Sequence, residues 1–169
     1  MKRLRAVFWA LAVLALVLAV GLSVRRSVAG AVRVAGSSMR PTLQDGDVAL
    51  VTRFDYRERG PERGAVVECR FPGRDGAYIK RVVGLPGERI AFSGGTLSVD
   101  GAPVEEPYVS GPTEDYSIAL GPDEYLVLGD NRPDSYDSRM ADMGPIRREA
   151  ILGRVRWILW PVSRLGAIH

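Results

Sequence analysis

Between Ala6 and Val24 the chain carries no charged residue and is built largely from Ala, Val and Leu. A run of this length constrains the fold more than any other feature, because in lipid its backbone groups can be satisfied only within a helix. At 1.5 Å per residue it would measure roughly 28 Å, close to the hydrocarbon thickness of about 30 Å. Lys2, Arg3 and Arg5 precede the run, and Arg25 and Arg26 follow it. Ser27-Val28-Ala29 offers a small-residue site of the kind that ends a cleavable leader. The two arginines before that site, and a core longer than the ~7–15 residues of a leader, favour a retained single-pass anchor over residues 1–26. The positive-inside rule then sets the N-terminus in the cytoplasm and residues 27–169 on the outer side of the cell membrane.

Beyond Arg26 the pattern changes to short apolar, often β-branched runs: Val32–Val34, Val48–Thr52, Ala65–Glu68, Tyr78–Val83, Arg89–Phe92, Thr96–Val99 and Tyr125–Leu128. Turn pairs such as Asp45-Gly46, Pro86-Gly87 and Gly94-Gly95 separate them. Gly94-Gly95, set between two such runs, predicts a hairpin. A short helix is expected through Arg147–Leu152, ended by Gly153. The expected fold is therefore mainly β: an N-terminal transmembrane helix followed by one compact β domain, with residues 88–128 as a small β cap.

Rare residue types narrow the chemistry. Cys69 is the only cysteine, which removes internal disulfides and CxxC metal sites, and reads as a structural thiol. His169 is the only histidine and stands last in the chain, a poor place to hold an imidazole for a Ser-His-Asp triad or a zinc ion. A hydrolase built on this sequence has to work without histidine, and no metal or cofactor is expected. The formal charge of +3, without a Lys/Arg-rich run, is no nucleic-acid signature.

Three stretches stand out. In Gly36-Ser37-Ser38-Met39-Arg40-Pro41-Thr42-Leu43 two small residues precede Ser38, so a substrate backbone can approach it. In Tyr78-Ile79-Lys80-Arg81-Val82-Val83-Gly84-Leu85-Pro86-Gly87 the side chain of Lys80 shares a face with Tyr78 and Val82 at period two. Gly129-Asp130-Asn131-Arg132-Pro133-Asp134-Ser135-Tyr136-Asp137-Ser138-Arg139 packs short hydrogen-bonding side chains directly after an apolar strand. Taken singly, each also reads as an ordinary turn, edge lysine or self-capped loop.

In this order, with Asp45-Gly46-Asp47 between the first two, the stretches resemble the boxes of type I signal peptidases, membrane-bound proteases that cut signal peptides from exported preproteins. The resemblance implies Ser38 as nucleophile and Lys80 as general base, with Ser135 orienting the lysine amine. It implies Asp137 and Arg139 as a supporting ion pair, with Asp130 in the same supporting loop. Two positions depart from the family pattern: Gly36 stands where some members carry an oxyanion-hole serine, and Pro133 replaces a polar residue. Lys80 would need an apolar shell to lower its pKa, for which Val82, Ile79 and Met39 are candidates. Val34, Met39, Leu43, Tyr78 and Ile79 are expected to line a shallow substrate groove suited to Ala-x-Ala sites. The partners implied are preprotein signal peptides and the phospholipid membrane. Trp157 and Trp160 are read either as membrane-interface anchors or as core. A self-cleaving repressor-type Ser-Lys protease and a membrane-tethered binding domain are the rival readings.

Overall fold

The computed structural model describes residues 9, 11–14, 21, 29–53, 56 and 60–169. Most of the expected anchor, Ala6–Val24, lies outside the described residues. Among those described, no helix is long and apolar enough to cross a membrane.

The fold is mainly β, as the alternation predicted. Among the described residues twelve strands follow in order: β1 (Ala29–Arg33), β2 (Val48–Thr52), β3 (Val66–Cys69), β4 (Tyr78–Gly84), β5 (Arg89–Ser93), β6 (Thr96–Val99), β7 (Ala102–Val104), β8 (Tyr116–Ala119), β9 (Glu124–Leu128), β10 (Ile146–Arg147), β11 (Ile151–Trp160) and β12 (Gly166–Ala167). The main antiparallel sheet runs β1-β2-β11-β3-β4-β9-β10, with β12 added on β11. A second sheet, β7-β6-β5-β8, is built from the chain between β4 and β9. Gly94-Gly95 turns β5 into β6, and Phe92 faces Leu97 across that hairpin.

Alternation along β4 assigns its side chains to different cores. Tyr78 and Val82 pack with Val67, Cys69, Phe71 and Val127, whereas Ile79 packs with Val34, Met39, Leu43 and Val66. Val83 joins a third cluster with Ile90, Phe92, Leu126 and Leu128, which fixes the second sheet to the first. Period two therefore sets Lys80 on the face of Tyr78 and Val82, opposite its strand partner Val67. Of the three residues expected to shield the lysine, Val82 shares this face. Ile79 and Met39 belong to the neighbouring cluster.

The helix expected over Arg147–Leu152 is not there. Arg148–Ala150 form a single 3-10 turn, and Ile151 opens a ten-residue strand. Gly153 suggested a helix stop but serves a close approach: a Cβ there would stand 2.7 Å from the Thr52 carbonyl oxygen of β2. Two register shifts, between Val155 and Trp157 and between Ile158 and Trp160, break the alternation that would have revealed the strand. At its end Trp157 and Trp160 are exposed, so the core reading of this pair does not hold.

Candidate active site

Ser38 lies in the turn after β1, and Lys80 is the third residue of β4. The fold brings Lys80 Nζ to 2.9 Å from Ser38 Oγ and 3.3 Å from Ser135 Oγ. The lysine is 3% exposed, and among the described residues no carboxylate is paired with it directly. Burial lowers its pKa below the ordinary lysine value, against the opposing pull of the Asp137 charge. A buried amine biased toward its neutral form, at hydrogen-bond distance from a partly exposed serine hydroxyl, has the geometry of a general base beside a nucleophile.

The Ser38 loop is clamped from behind. The Asn131 N–H donates to the Ser38 carbonyl at 3.0 Å, and Asn131 Nδ2 to the Ser37 carbonyl at 3.3 Å. Ser37 Oγ donates to the Asp134 carboxylate, and Thr42 Oγ1 to Asp130 Oδ2 at 2.5 Å. Gly36 has φ +92° and its N–H is taken by Asp45 Oδ1 at 2.8 Å. The Gly36 amide is thus occupied, whereas the Ser38 N–H has no intramolecular acceptor among the described residues.

Asp137 and Arg139 meet in a two-pronged ion pair, Nε–Oδ1 2.9 Å and Nη2–Oδ2 3.0 Å. Asp137 Oδ2 also accepts the Gly129 N–H at 3.0 Å. Burial pushes the Asp137 carboxyl up, but the bonds from Arg139, Ser135 and Gly129 outweigh it and hold the pKa below the usual carboxylate value. The pair braces the loop carrying Ser135, since Arg139 Nη2 also donates to the Arg132 carbonyl at 2.8 Å. Arg132 in turn bonds Glu106 and Thr113, which ties the loop to the chain around the second sheet. Pro133 packs against Gly111, where a Cβ would meet its ring at 2.5 Å.

Asp130 pairs with Arg81, the residue after Lys80, through two bonds of 2.8 Å. Arg81 also donates to the main-chain oxygens of Gly64 and His169 and stacks 3.9 Å over the Tyr108 ring. Sequence reasoning singled out Asp130 but not Arg81, Thr42, Asn131 or Asp45. Arg81, Thr42 and Asn131 lie within the three stretches and Asp45 just after the first, a position that does not by itself distinguish a buried clamp from a surface residue.

A groove of about 360 Å³ opens beside the Ser38–Lys80 pair. Val34, Met39, Tyr78 and Ile79 line it, together with Arg33 and Asp75, which the sequence did not flag. Leu43 is not among its lining residues. Its N–H bonds back to the Met39 carbonyl, and the side chain is fully buried in the core. Cys69 is likewise buried, its thiol pushed up to about 12 by burial, which suits a structural role.

Gly129 shows how tightly the site is assembled. A Cβ there would stand 2.2 Å from Ser135 Oγ and 2.4 Å from the Ser38 carbonyl oxygen. Gly129→Ala is expected to lower kcat by about 100-fold, because displacement by even ~1 Å misaligns a nucleophile and its base. Steady-state kinetics beside a thermal melt would check this, and near-normal turnover would show that the loop yields without cost to the site.

Residues 6–160 match the family model described as signal peptidase, peptidase S26. A probable signal peptidase I-2 of Synechocystis is 40% identical over 164 residues, spanning 92% of this chain and 73% of that protein. Signal peptidase I of Leptolyngbya laminosa is 39% identical over 168 residues, spanning 92% of this chain and 79% of its own. Signal peptidase IB of Staphylococcus aureus is 35% identical over 150 residues, spanning 77% of each chain. The crystal structure of a signal peptidase I from Enterococcus faecalis superposes with a TM-score of 0.51 at 29% identity, covering 57% of this chain and 97% of that one. With a matched model over nearly its whole length and relatives at this identity, the chain belongs to the signal peptidase family, peptidase S26, and is a serine-peptidase hydrolase.

Proposed function

We propose that this chain is a membrane-anchored signal peptidase I that cuts preproteins after small residues by a Ser38–Lys80 dyad. The observation that carries the reading is the 2.9 Å approach of a buried lysine amine to a serine hydroxyl, at the end of a narrow groove. Ser38 Oγ attacks the scissile carbonyl carbon while neutral Lys80 takes its proton. The C–N bond then breaks, and the protonated amine passes that proton to the departing α-amine of the mature protein. In deacylation Lys80 takes a proton from water, hydroxide oxygen attacks the acyl carbon, and Ser38 recovers its proton as the signal peptide leaves. Ser135 orients the amine, and the Asp137–Arg139 pair holds Ser135 in place. The unoccupied Ser38 N–H is one donor to the oxyanion.

The groove suits an extended peptide. Among the described residues β1 pairs only with β2, and β4 pairs with β9 only from Arg81 onward, so neither Ala29–Arg33 nor Tyr78–Lys80 has a strand on its second edge there. A peptide strand added there would gain main-chain hydrogen bonds. Val34, Met39, Tyr78 and Ile79 leave room for small side chains such as those of an Ala-x-Ala site. Residues 1–26 form the single-pass anchor in this reading, 27–169 the catalytic domain outside the cytoplasm, and 88–128 its cap; nucleic acid has no part in it.

The test is cleavage of an Ala-x-Ala preprotein by the full chain in lipid vesicles. Cleavage after the second alanine by wild type, abolished in folded Ser38→Ala, is the expected result. A well-folded wild-type chain that leaves the preprotein intact would refute the proposal.

A further inference from the structure

Two of the residues lining the groove carry charges that the proposed chemistry does not use, Arg33 and Asp75. Each stands five residues before a member of the dyad, Arg33 before Ser38 and Asp75 before Lys80. β1 and β4 run in the same sense, because four antiparallel pairings lie between them: β1-β2, β2-β11, β11-β3 and β3-β4. The two walls therefore lead together from the charged end of the groove to Ser38 and Lys80. At about 3.3 Å per residue that end lies at most ~17 Å from the dyad, the span of about five extended peptide residues.

The two charges differ in their surroundings. Arg33 Nη2 lies over the turn between β1 and β2, 4.0 Å from where a Cβ on Gly46 would stand, and the acidic residues Asp45 and Asp47 flank that glycine. Asp75 is exposed, and among the described residues its side chain has no hydrogen bond or ion pair. Its place on the wall is nevertheless set from both sides. The preceding Arg74 is paired with Asp142 and lies 5.6 Å from the centroid of the Tyr136 ring. On the other side Gly76 turns the chain at φ +86°, and Tyr78 packs edge-on against Phe71 with ring centroids 5.3 Å apart. A carboxylate held on a fixed wall is a preorganised acceptor, so a donor arriving on a peptide meets it with little ordering left to do.

We infer that Asp75 is a specificity-determining residue, favouring signal peptides with a basic or hydrogen-bond-donating side chain about five residues before the cut bond and disfavouring an acidic one there. A lysine or arginine at that level gains a charge-assisted bond at the end of the groove, whereas a glutamate meets a like charge. Arg33 offsets this little, since its guanidinium lies over a turn that carries two carboxylates of its own. The inference rests on the peptidase reading above, with the peptide extended along the groove.

The test uses three preproteins that share one Ala-x-Ala site and differ only in Lys, Gln or Glu at the fifth residue before the cut bond. The full chain cleaves them in nonionic detergent, so that no lipid charge contributes. At low salt kcat/KM is expected to fall from Lys through Gln to Glu, by about fivefold overall, the size of one exposed ion pair. The spread should shrink at about 1 M salt. Asp75→Asn should remove it and Asp75→Lys should reverse the order, which a merely structural residue would not do. Equal rates for the three with wild type, or an order that Asp75→Lys leaves in place, would overturn the assignment and spare the peptidase reading. A wild-type preference for Glu would hand selection at this end to Arg33 and overturn it as well. A folded wild-type chain that cuts none of the three would remove the underlying reading too.

Discussion

Lys80→Met is expected to lower kcat for preprotein cleavage by about 10^4-fold while leaving a folded and more stable protein. The loss follows from geometry. Lys80 Nζ is the only titratable group within hydrogen-bond reach of Ser38 Oγ among the described residues, at 2.9 Å. A thioether of similar length fills the space but accepts no proton. Lys80→Arg should be equally inactive, because a guanidinium stays charged at any working pH. A Lys80→Met chain that cleaves within tenfold of wild type would remove the lysine from the mechanism.

The pH dependence has a definite sign. In the proposed mechanism only the neutral amine can take the Ser38 proton, so kcat/KM rises as pH climbs through the lysine pKa, which burial lowers below its ordinary value. Stability moves the same way. Between the folded pKa and the unfolded one the unfolded chain binds more protons, so stability increases with pH across that window. Below the folded pKa the full cost of protonating a buried amine is present. Lys80→Met removes this cost, so it should be more stable than wild type below the folded pKa and lose the upward slope. Denaturant midpoints at pH 7 and pH 10 would report both effects together.

How much of this was legible in the sequence depended on how local the signal was. Val48–Thr52 and Thr96–Val99 appear as strands with the expected limits, since a β-branched run between turn residues carries its own information. β11 was hidden because two bulges break its alternation and Gly153 imitates a helix stop, although its true constraint is the backbone of β2. The meeting of Ser38 with Lys80 is not local at all. It depends on a turn after an edge strand lying over the start of β4, and the ordered boxes implied it where spacing alone could not. Leu43 shows the limit: an apolar residue near a nucleophile reads the same whether it faces a groove or the core, and the Leu43–Met39 turn turned it inward. Arg81 was passed over for a similar reason, because a strand arginine is usually solvated and only tertiary packing buries it.

That burial makes Asp130→Ala the substitution with the largest expected effect on stability, a loss of about 3–5 kcal/mol. Arg81 and Asp130 are 1% and 0% exposed, joined by two 2.8 Å bonds. Removing the carboxylate strands a guanidinium from water and leaves Thr42 Oγ1 without its acceptor. Arg81 would keep the main-chain oxygens of Gly64 and His169 and the Tyr108 ring, but lose both bonds to its buried carboxylate partner. Replacing both partners, Arg81→Met with Asp130→Ala, should cost less than Asp130→Ala alone, since no buried charge then remains. Activity should fall beyond what unfolding explains, because Asp130 fixes Thr42 behind the nucleophile and precedes Asn131, whose N–H holds the Ser38 carbonyl. Urea midpoints in detergent, with turnover at full folding for each single variant and the double, would separate the two contributions. A single variant that loses under ~1 kcal/mol would mean water reaches the arginine, and that the pair is a surface bridge in solution.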